Sequence, residues 1–328
     1  MDKLKNKKYK YKAVSLLPRD SFKIEQNILD EVDCLIIQGK GATSEEIIET
    51  AKDADALIAS GQPLNKKVFI ALDKLKIISL IGVGYDTVDL ITANVKNVRI
   101  THIPDLITEI VADHAVSLAL SLIRRIPQAN KMVKEGKWEN NFPNWARPMP
   151  KLKGLTVGII GFGRTGREVA SRLISFGINI IAYDPYTKLT PVPETKIKIF
   201  NNLEELLQKA DLITIHVNFS EETKNLITAK ELRLMKETAF LINVARGGVI
   251  DEGALTKALS QGWIAGAALD VMGDEPPKSD NPLLKLENVI LTPHIAYYSD
   301  ESVIEQRQRT AEEIVRAIKG LPPLFSVQ

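Results

Sequence analysis

Short apolar runs alternate along this chain with stretches whose apolar residues recur at helical spacing. That alternation is the pattern of parallel α/β architecture. In the first part "AVSLL", "CLIIQ", "ALIAS", "IISLIG" and "VRIT" read as strands. A second series follows: "TVGIIG", "NIIAYD", "LITIHV", "AFLINVA", "AGAALDV" and "NVILTPH". Thr43 and Glu46 have capping-box spacing ahead of "IIETAKDA". From Thr108, "TEIVADHAVSLALSLIRRI" predicts one long helix that stops at Pro127. Its apolar residues surround most of the axis, which predicts burial on several sides. "KEGKWENNFPNWARPMPKLKG" reads as a loop or arm outside both sheets. Its Trp138 and Trp145 either anchor a partner subunit or cover a loop of their own chain. A last helix, "ESVIEQRQRTAEEIVRAIKG", follows Ser299 and Asp300. Two α/β units are expected, and the first can draw on both chain termini.

Length and charge narrow the class. A chain of 328 residues is too long for one ordinary core, and about two domains are expected. Lys and Arg number 43 and Asp and Glu 41, a net charge of +2, so nucleic acid is not an expected direct partner. The basic start reads as a solvated, frayed terminus. No apolar run reaches the length of a membrane span, and no signal peptide follows the first lysines. The lone cysteine, Cys34, excludes an internal disulfide and reads as a buried thiol. A cytoplasmic location is expected. The four histidines lack metal-ligand spacing, and no metal site is expected; His102, His114 and His216 read as structural.

Candidate chemistry sits in the second series. "TVGIIGFGRTGREVA" holds Gly161, Gly163 and Gly166 in a G-x-G-x-x-G pattern, after a strand and at the start of a helix. That context is what a dinucleotide pyrophosphate needs: a tight turn, close backbone approach and a helix N-terminus. Asp184 ends the next strand, 18 residues beyond Gly166. A carboxylate there binds the ribose hydroxyls and repels a 2′-phosphate, which favours NAD. Three later segments end in polar residues: Arg246 after "LINVA", Glu275 after "AALDV", His294 after "NVILTP". In an open parallel sheet, ligands bind beyond the carboxyl ends of the strands. Reduction of a 2-oxo acid needs a planar cation for the carboxylate, a proton donor near neutrality and a group that orients that donor. Arginine, histidine and glutamate supply these. The two glycines after Arg246 are expected to leave room for cofactor or substrate.

Over nearly its whole length the chain resembles the D-isomer-specific 2-hydroxyacid dehydrogenase family. The resemblance is carried by "GVGYDTVDL", "TEIVADHAVSLAL", "GIIGFGRTG", "NVARGGVIDEGAL", "AALDVMGDEPP" and "LTPHIAYYS". "GFGRTG", "YDPY" and "HIAYYSDES" look most like its C-terminal-binding-protein-like subgroup. The resemblance implies an α/β protein of two Rossmann-like domains. One is a doubly wound NAD-binding domain over 108–296. The other is a discontinuous, flavodoxin-like substrate domain over 1–107 and 297–328, with the active site in the cleft between them. It implies a homodimer and an NAD-dependent oxidoreductase interconverting small 2-oxo and 2-hydroxy acids. Arg246 matches the substrate-binding arginine, Glu275 the glutamate that supports the histidine, and His294 the acid/base. Val83 and Gly84 match the loop that meets the substrate carboxylate, and Tyr297 a pocket-lining aromatic position. Arg164, Thr165 and Asp184 match phosphate and ribose contacts. Val244, Ala245, Asp270 and Thr108 match further cofactor positions. Ile107 stands where many relatives have a small hydroxyl residue. Phosphoglycerate is disfavoured as a substrate, because no regulatory domain follows and no basic cluster marks the first domain. An NAD(H)-sensing, corepressor-like interaction protein is the alternative.

Overall fold

The computed structural model describes residues 8–138, 147–187 and 197–327, so Trp145 lies outside the described residues. The chain divides into two compact units. One runs to Ile107 and resumes at Tyr298; the other is Thr108–Tyr297.

In the first unit five strands form one parallel sheet: β1 (Tyr11–Ser15), β2 (Cys34–Gln38), β3 (Ala56–Ala59), β4 (Ile77–Leu80) and β5 (Arg99–Thr101). Their order is β2-β1-β3-β4-β5, the flavodoxin-like arrangement. Every residue of β3 and β4 is buried, as a sheet covered on both faces requires. Helices α1 (Lys23–Leu29) and the distant α11 (Asp300–Ile318) cover one face, with Leu29, Ala311, Ile314 and Val315 packed beside Ala13 and Ala56. On the other face, α2 (Ser44–Ala51), α3 (Lys66–Ala71) and α4 (Leu90–Val95) bring Ile47, Val68, Phe69 and Ala93.

The return of α11 has a specific tie. Glu25 on α1 is only 2% exposed, and Arg307 donates to both of its oxygens at 2.7 Å. A carboxylate so buried requires such a partner. Thr43 caps α2 by accepting from the Glu46 N–H at 3.2 Å. The Glu46 carboxylate takes the N–H of Ala42 rather than that of Thr43, so the expected box is displaced by one residue. Cys34 is buried and free, and burial pushes its thiol up to about 12, which leaves it inert.

The second unit holds seven parallel strands: β6 (Thr156–Ile160), β7 (Asn179–Tyr183), β8 (Lys198–Phe200), β9 (Leu212–Ile215), β10 (Phe240–Asn243), β11 (Gly266–Leu269) and β12 (Val289–Leu291). Their order, β12-β11-β10-β9-β6-β7-β8, is the doubly wound dinucleotide-binding order with one added edge strand. The direction of winding reverses between β6 and β9, the place where such sheets open a crevice. Helix α5 (Thr108–Ile123) is followed by α6 (Ile126–Lys134). α5 and α7 (Arg164–Ile174) cover one face; α8 (Leu203–Lys209), α9 (Ala229–Leu234) and α10 (Glu252–Ser260) cover the other.

Two elements differ from the sequence expectation. The long helix ends at Ile123, Arg125 turns at φ 52°, and a new helix begins at Ile126. Pro127 therefore opens α6 instead of closing α5. In a first turn its missing N–H costs no hydrogen bond. The edge strand β8 was not expected, because "KIF" is too short for a period to register. Among the described residues no helix is long and apolar enough to cross a membrane.

Candidate active site

The glycine loop joins β6 to α7. Gly161 has φ +90°, and a Cβ there would lie 2.6 Å from the His216 carbonyl oxygen beyond β9. Only glycine lets the two strand ends approach so closely. A Cβ at Gly166 would stand 2.2 Å from the Gly161 oxygen, so helix and loop also touch directly. Around Gly163 the opposite holds: no heavy atom lies within 4 Å of a Cβ built there. Gly163 is the N-cap of α7 and supplies no side chain to its first N–H groups. Open space beside an uncapped helix N-terminus fits a pyrophosphate. Arg164 and Thr165 occupy that first turn.

Asp184 stands just past β7. Its Oδ2 accepts the Phe162 N–H at 2.9 Å, and its Oδ1 accepts those of Tyr186 and Thr187, each at 2.9 Å. Burial opposes the charge, but these backbone donors win and hold the carboxyl below its usual range. Oδ2, with a single donor, keeps a lone pair for a ribose hydroxyl. The residues of this strand edge thus fit a dinucleotide. Val244 and Ala245 follow β10, with Val244 buried, and Thr108 opens α5.

Arg246, Glu275 and His294 all lie beyond the carboxyl ends of neighbouring strands β10, β11 and β12. Glu275 Oε2 is 2.6 Å from His294 Nδ1, and its Oε1 accepts the Met272 N–H at 3.0 Å. Burial raises the Glu275 carboxyl, but His294, the Met272 N–H and the charge of Arg246 outweigh it and hold the group low. A charged carboxylate only accepts, so Nδ1 donates to it, and Nε2 is the ring atom left for other chemistry. His294 itself has φ 53°, a backbone region that non-glycine residues rarely occupy.

That conformation is held by Asp270, which the resemblance gives as a cofactor position. The structure shows its carboxylate 1% exposed and engaged by the His294 loop. Oδ1 accepts from the Thr292 hydroxyl at 2.5 Å and the Ile295 N–H at 3.0 Å; Oδ2 accepts from the Ala296 N–H at 2.9 Å. The Asp270 carbonyl takes the His294 N–H at 2.8 Å. Burial works against the Asp270 charge, yet His114, Thr292 and the two backbone donors keep its carboxyl low. His114 Nε2 completes the network, 3.1 Å from Thr292 Oγ1.

Around Arg246 the structure changes one expectation. A Cβ on Gly247 would meet the Met272 carbonyl oxygen at 2.0 Å, and one on Gly248 the Phe219 ring at 2.8 Å. These glycines make room for the protein's own backbone and ring. They bring the Arg246 turn against the loop that leads to Glu275. Asn243, 1% exposed, braces the turn: its Oδ1 accepts the Ala245 N–H at 3.0 Å and its Nδ2 donates to the Arg246 carbonyl at 2.8 Å. Asn243 and Thr292 were not singled out from the sequence. A polar residue ending the apolar run "AFLI" was the available signal for the first; none marked the second.

The remaining positions are simply placed. Tyr297 is 37% exposed, edge-on to His294 with ring centres 6.5 Å apart. Val83 and Gly84 follow β4 in the first unit, where the Val83 carbonyl lies 2.9 Å from His102 Nδ1. His216 keeps part of its surface in solvent, yet burial of its ring pushes it down to about 3, and Nε2 lies 2.8 Å from Thr214 Oγ1. Among the described residues no group of three or more His, Cys, Asp or Glu could hold a metal ion.

Comparison with known proteins identifies the family. Residues 116–296 match the family description "D-isomer specific 2-hydroxyacid dehydrogenase, NAD binding domain". The chain is 41% identical over 288 residues to a glyoxylate reductase of Thermofilum pendens, covering 85% of this chain and 83% of that one. It is 40% identical over 294 residues to a D-3-phosphoglycerate dehydrogenase of Methanocaldococcus jannaschii, covering 89% of this chain but 55% of that one. The structure of D-lactate dehydrogenase from Aquifex aeolicus, complexed with NAD and lactic acid, superposes with a TM-score of 0.85. That match has 31% identity and covers 94% of this chain and 96% of that one. The two sequence relatives are not C-terminal-binding proteins, so they do not carry the subgroup resemblance forward. The chain belongs to the D-isomer specific 2-hydroxyacid dehydrogenase family and is an NAD-binding oxidoreductase of 2-hydroxy acids.

Proposed function

We propose that this protein reduces small, unphosphorylated 2-oxo acids, glyoxylate first among them, with NADH as donor. The observation that carries this is the 2.6 Å contact of Glu275 with His294 Nδ1, beside the Arg246 turn and on the sheet edge of the glycine loop. When bound, the nicotinamide supplies the hydride. Arg246 binds the substrate carboxylate and polarises its carbonyl. His294 Nε2 gives the carbonyl oxygen its proton, while Glu275 fixes the orientation of the ring through Nδ1. Val83 and Gly84 offer backbone N–H groups to the carboxylate, and Tyr297 lines the side-chain pocket. Asp270 and Asn243 position the His294 and Arg246 turns. Arg164, Thr165, Thr108, Val244 and Ala245 hold the cofactor. The unit that runs to Ile107 is the substrate domain. The glyoxylate reductase of T. pendens, matched over 83% of its length, supports the choice of acid.

Two expected results belong to this reading. Glu275→Gln replaces the carboxylate that holds His294 Nδ1 with a neutral amide, so kcat should fall about tenfold, the scale of one charge-assisted hydrogen bond. An unchanged kcat in Glu275→Gln contradicts Glu275's role. Asp184 keeps its charge at neutral pH, so NADH should exceed NADPH in kcat/KM by about a hundredfold, and Asp184→Ser should narrow the gap. Equal use of both cofactors by the wild type contradicts that assignment.

A homodimer in a reducing cytoplasm completes the reading; the buried thiol of Cys34 is compatible with it. The C-terminal-binding-protein-like subgroup, with its sensing role, rests on the three short motifs alone. The deciding test is NADH oxidation against glyoxylate, hydroxypyruvate, pyruvate, longer 2-oxo acids and a phosphorylated 2-oxo acid. Highest kcat/KM on the smallest acids supports the proposal. Preference for the phosphorylated acid replaces it with a phosphoglycerate dehydrogenase. Tight NADH binding without turnover on any acid favours the sensor.

A further inference from the structure

We propose that His102 is a positioning residue for substrate binding, holding the Val83–Gly84 peptide so that its N–H points at the substrate carboxylate. The proposal rests on the role just given to that loop. His102 follows β5, and its Nδ1 lies 2.9 Å from the Val83 carbonyl oxygen. A carbonyl only accepts, so Nδ1 is the donor, in one neutral tautomer and in the imidazolium alike. The Val83 carbonyl and the Gly84 N–H are opposite ends of one planar peptide unit. Holding the oxygen therefore sets the direction of the N–H, although His102 touches no substrate atom.

The rest of the loop shows why such a bond is needed. Gly82 turns the chain at φ +93°, and a Cβ built on it meets no heavy atom within 4 Å. Hydrogen bonds hold this turn. The Gly82 carbonyl is held by the Ile103 N–H at 2.8 Å, and the next carbonyl, that of Val83, by the His102 ring. Two consecutive residues after β5 thus hold two consecutive carbonyls after β4. The imidazole is itself held. The Tyr85 ring meets it edge-on, centres 5.7 Å apart at 76°, while the backbone N–H of His102 donates to the Phe325 carbonyl at 3.3 Å. A histidine that served only to fill space would need neither the ring orientation nor the Nδ1 bond.

The test compares His102→Asn with His102→Leu. The asparagine amide nitrogen stands as many bonds from Cβ as Nδ1 does, and it donates. Leucine approximates the shape and does not donate. Steady-state kinetics with glyoxylate are measured beside NADH affinity and Tm. His102→Leu should raise the KM for glyoxylate about tenfold, the scale of one weakened bond to a charged group. Its kcat should change by less than about threefold and its NADH affinity not at all, the pattern of uniform substrate binding lost. His102→Asn should restore KM to within about threefold of the wild type. Partial misfolding would lower kcat with KM unmoved, and that result overturns the proposal. So does an equal KM rise in both variants, or an unchanged KM in His102→Leu. If His102→Leu does not fold, His102→Gln replaces it, since its amide lies one methylene too far to reproduce the bond. Wild-type protein with no turnover on any 2-oxo acid sinks the functional reading and this proposal together. Wild-type turnover with an unmoved KM in His102→Leu sinks this proposal alone.

Discussion

His294→Ala should lower turnover of a 2-oxo acid by roughly two to four orders of magnitude, the usual worth of a placed acid/base residue. NADH affinity should stay near that of the wild type. The reason lies in how the side chain is held. Its Nδ1 is bound to a carboxylate whose own surroundings keep it charged, which leaves Nε2 as the working atom. Its backbone sits at φ 53°, anchored by Asp270 through four separate hydrogen bonds to residues 292–296. Alanine removes the ring and leaves that anchorage, so the loop keeps its shape. The glycine loop lies at another strand of the sheet, beyond β6, and is not disturbed. His294→Ala turnover within about threefold of the wild type removes His294 from the mechanism.

Arg246→Ala should reduce kcat/KM by about a hundred- to a few-thousandfold, the cost of leaving a charged partner without its guanidinium. Both KM and kcat should suffer, because the same group holds the carboxylate and stabilises charge growing on the carbonyl oxygen. Arg246→Lys should fall between, since it keeps the charge and loses the planar fork. The turn itself should survive either change, because Asn243 braces the backbone at Ala245 and Arg246, not the side chain. The measurement is steady-state kinetics with glyoxylate, supported by Tm. A variant that loses Tm and activity together would point to a structural arginine; unchanged kinetics would remove it from the site.

Much of this was legible in the residues. Strands β3, β4, β10 and β11 are buried at every position, so they appear in the sequence as mainly apolar runs, with Ser79 and Asn243 the buried polar exceptions. Arg246, Glu275 and His294 stood out because each is a polar residue that follows an apolar strand on its carboxyl side. Other features depend on contacts between distant segments. Asp270 is matched in the sequence to a cofactor position, but its partners lie 22–26 residues further on and only folding brings them together. Gly247 reads as space for a ligand, whereas its neighbour is the Met272 carbonyl. Pro127 reads as a helix stop and is a helix start, because the left-handed turn at Arg125 comes first. His102 reads as one of three structural histidines. Only the coordinates show its ring nitrogen on the carbonyl of Val83.

The central claim is hydride and proton transfer to the carbonyl of a 2-oxo acid. Its most direct test is to incubate the protein with glyoxylate and NADH and count glycolate formed against NADH oxidised. The account predicts one glycolate for each NADH, at a rate that Arg246→Ala and His294→Ala both suppress. No glycolate, or NADH oxidation without it, would contradict the account.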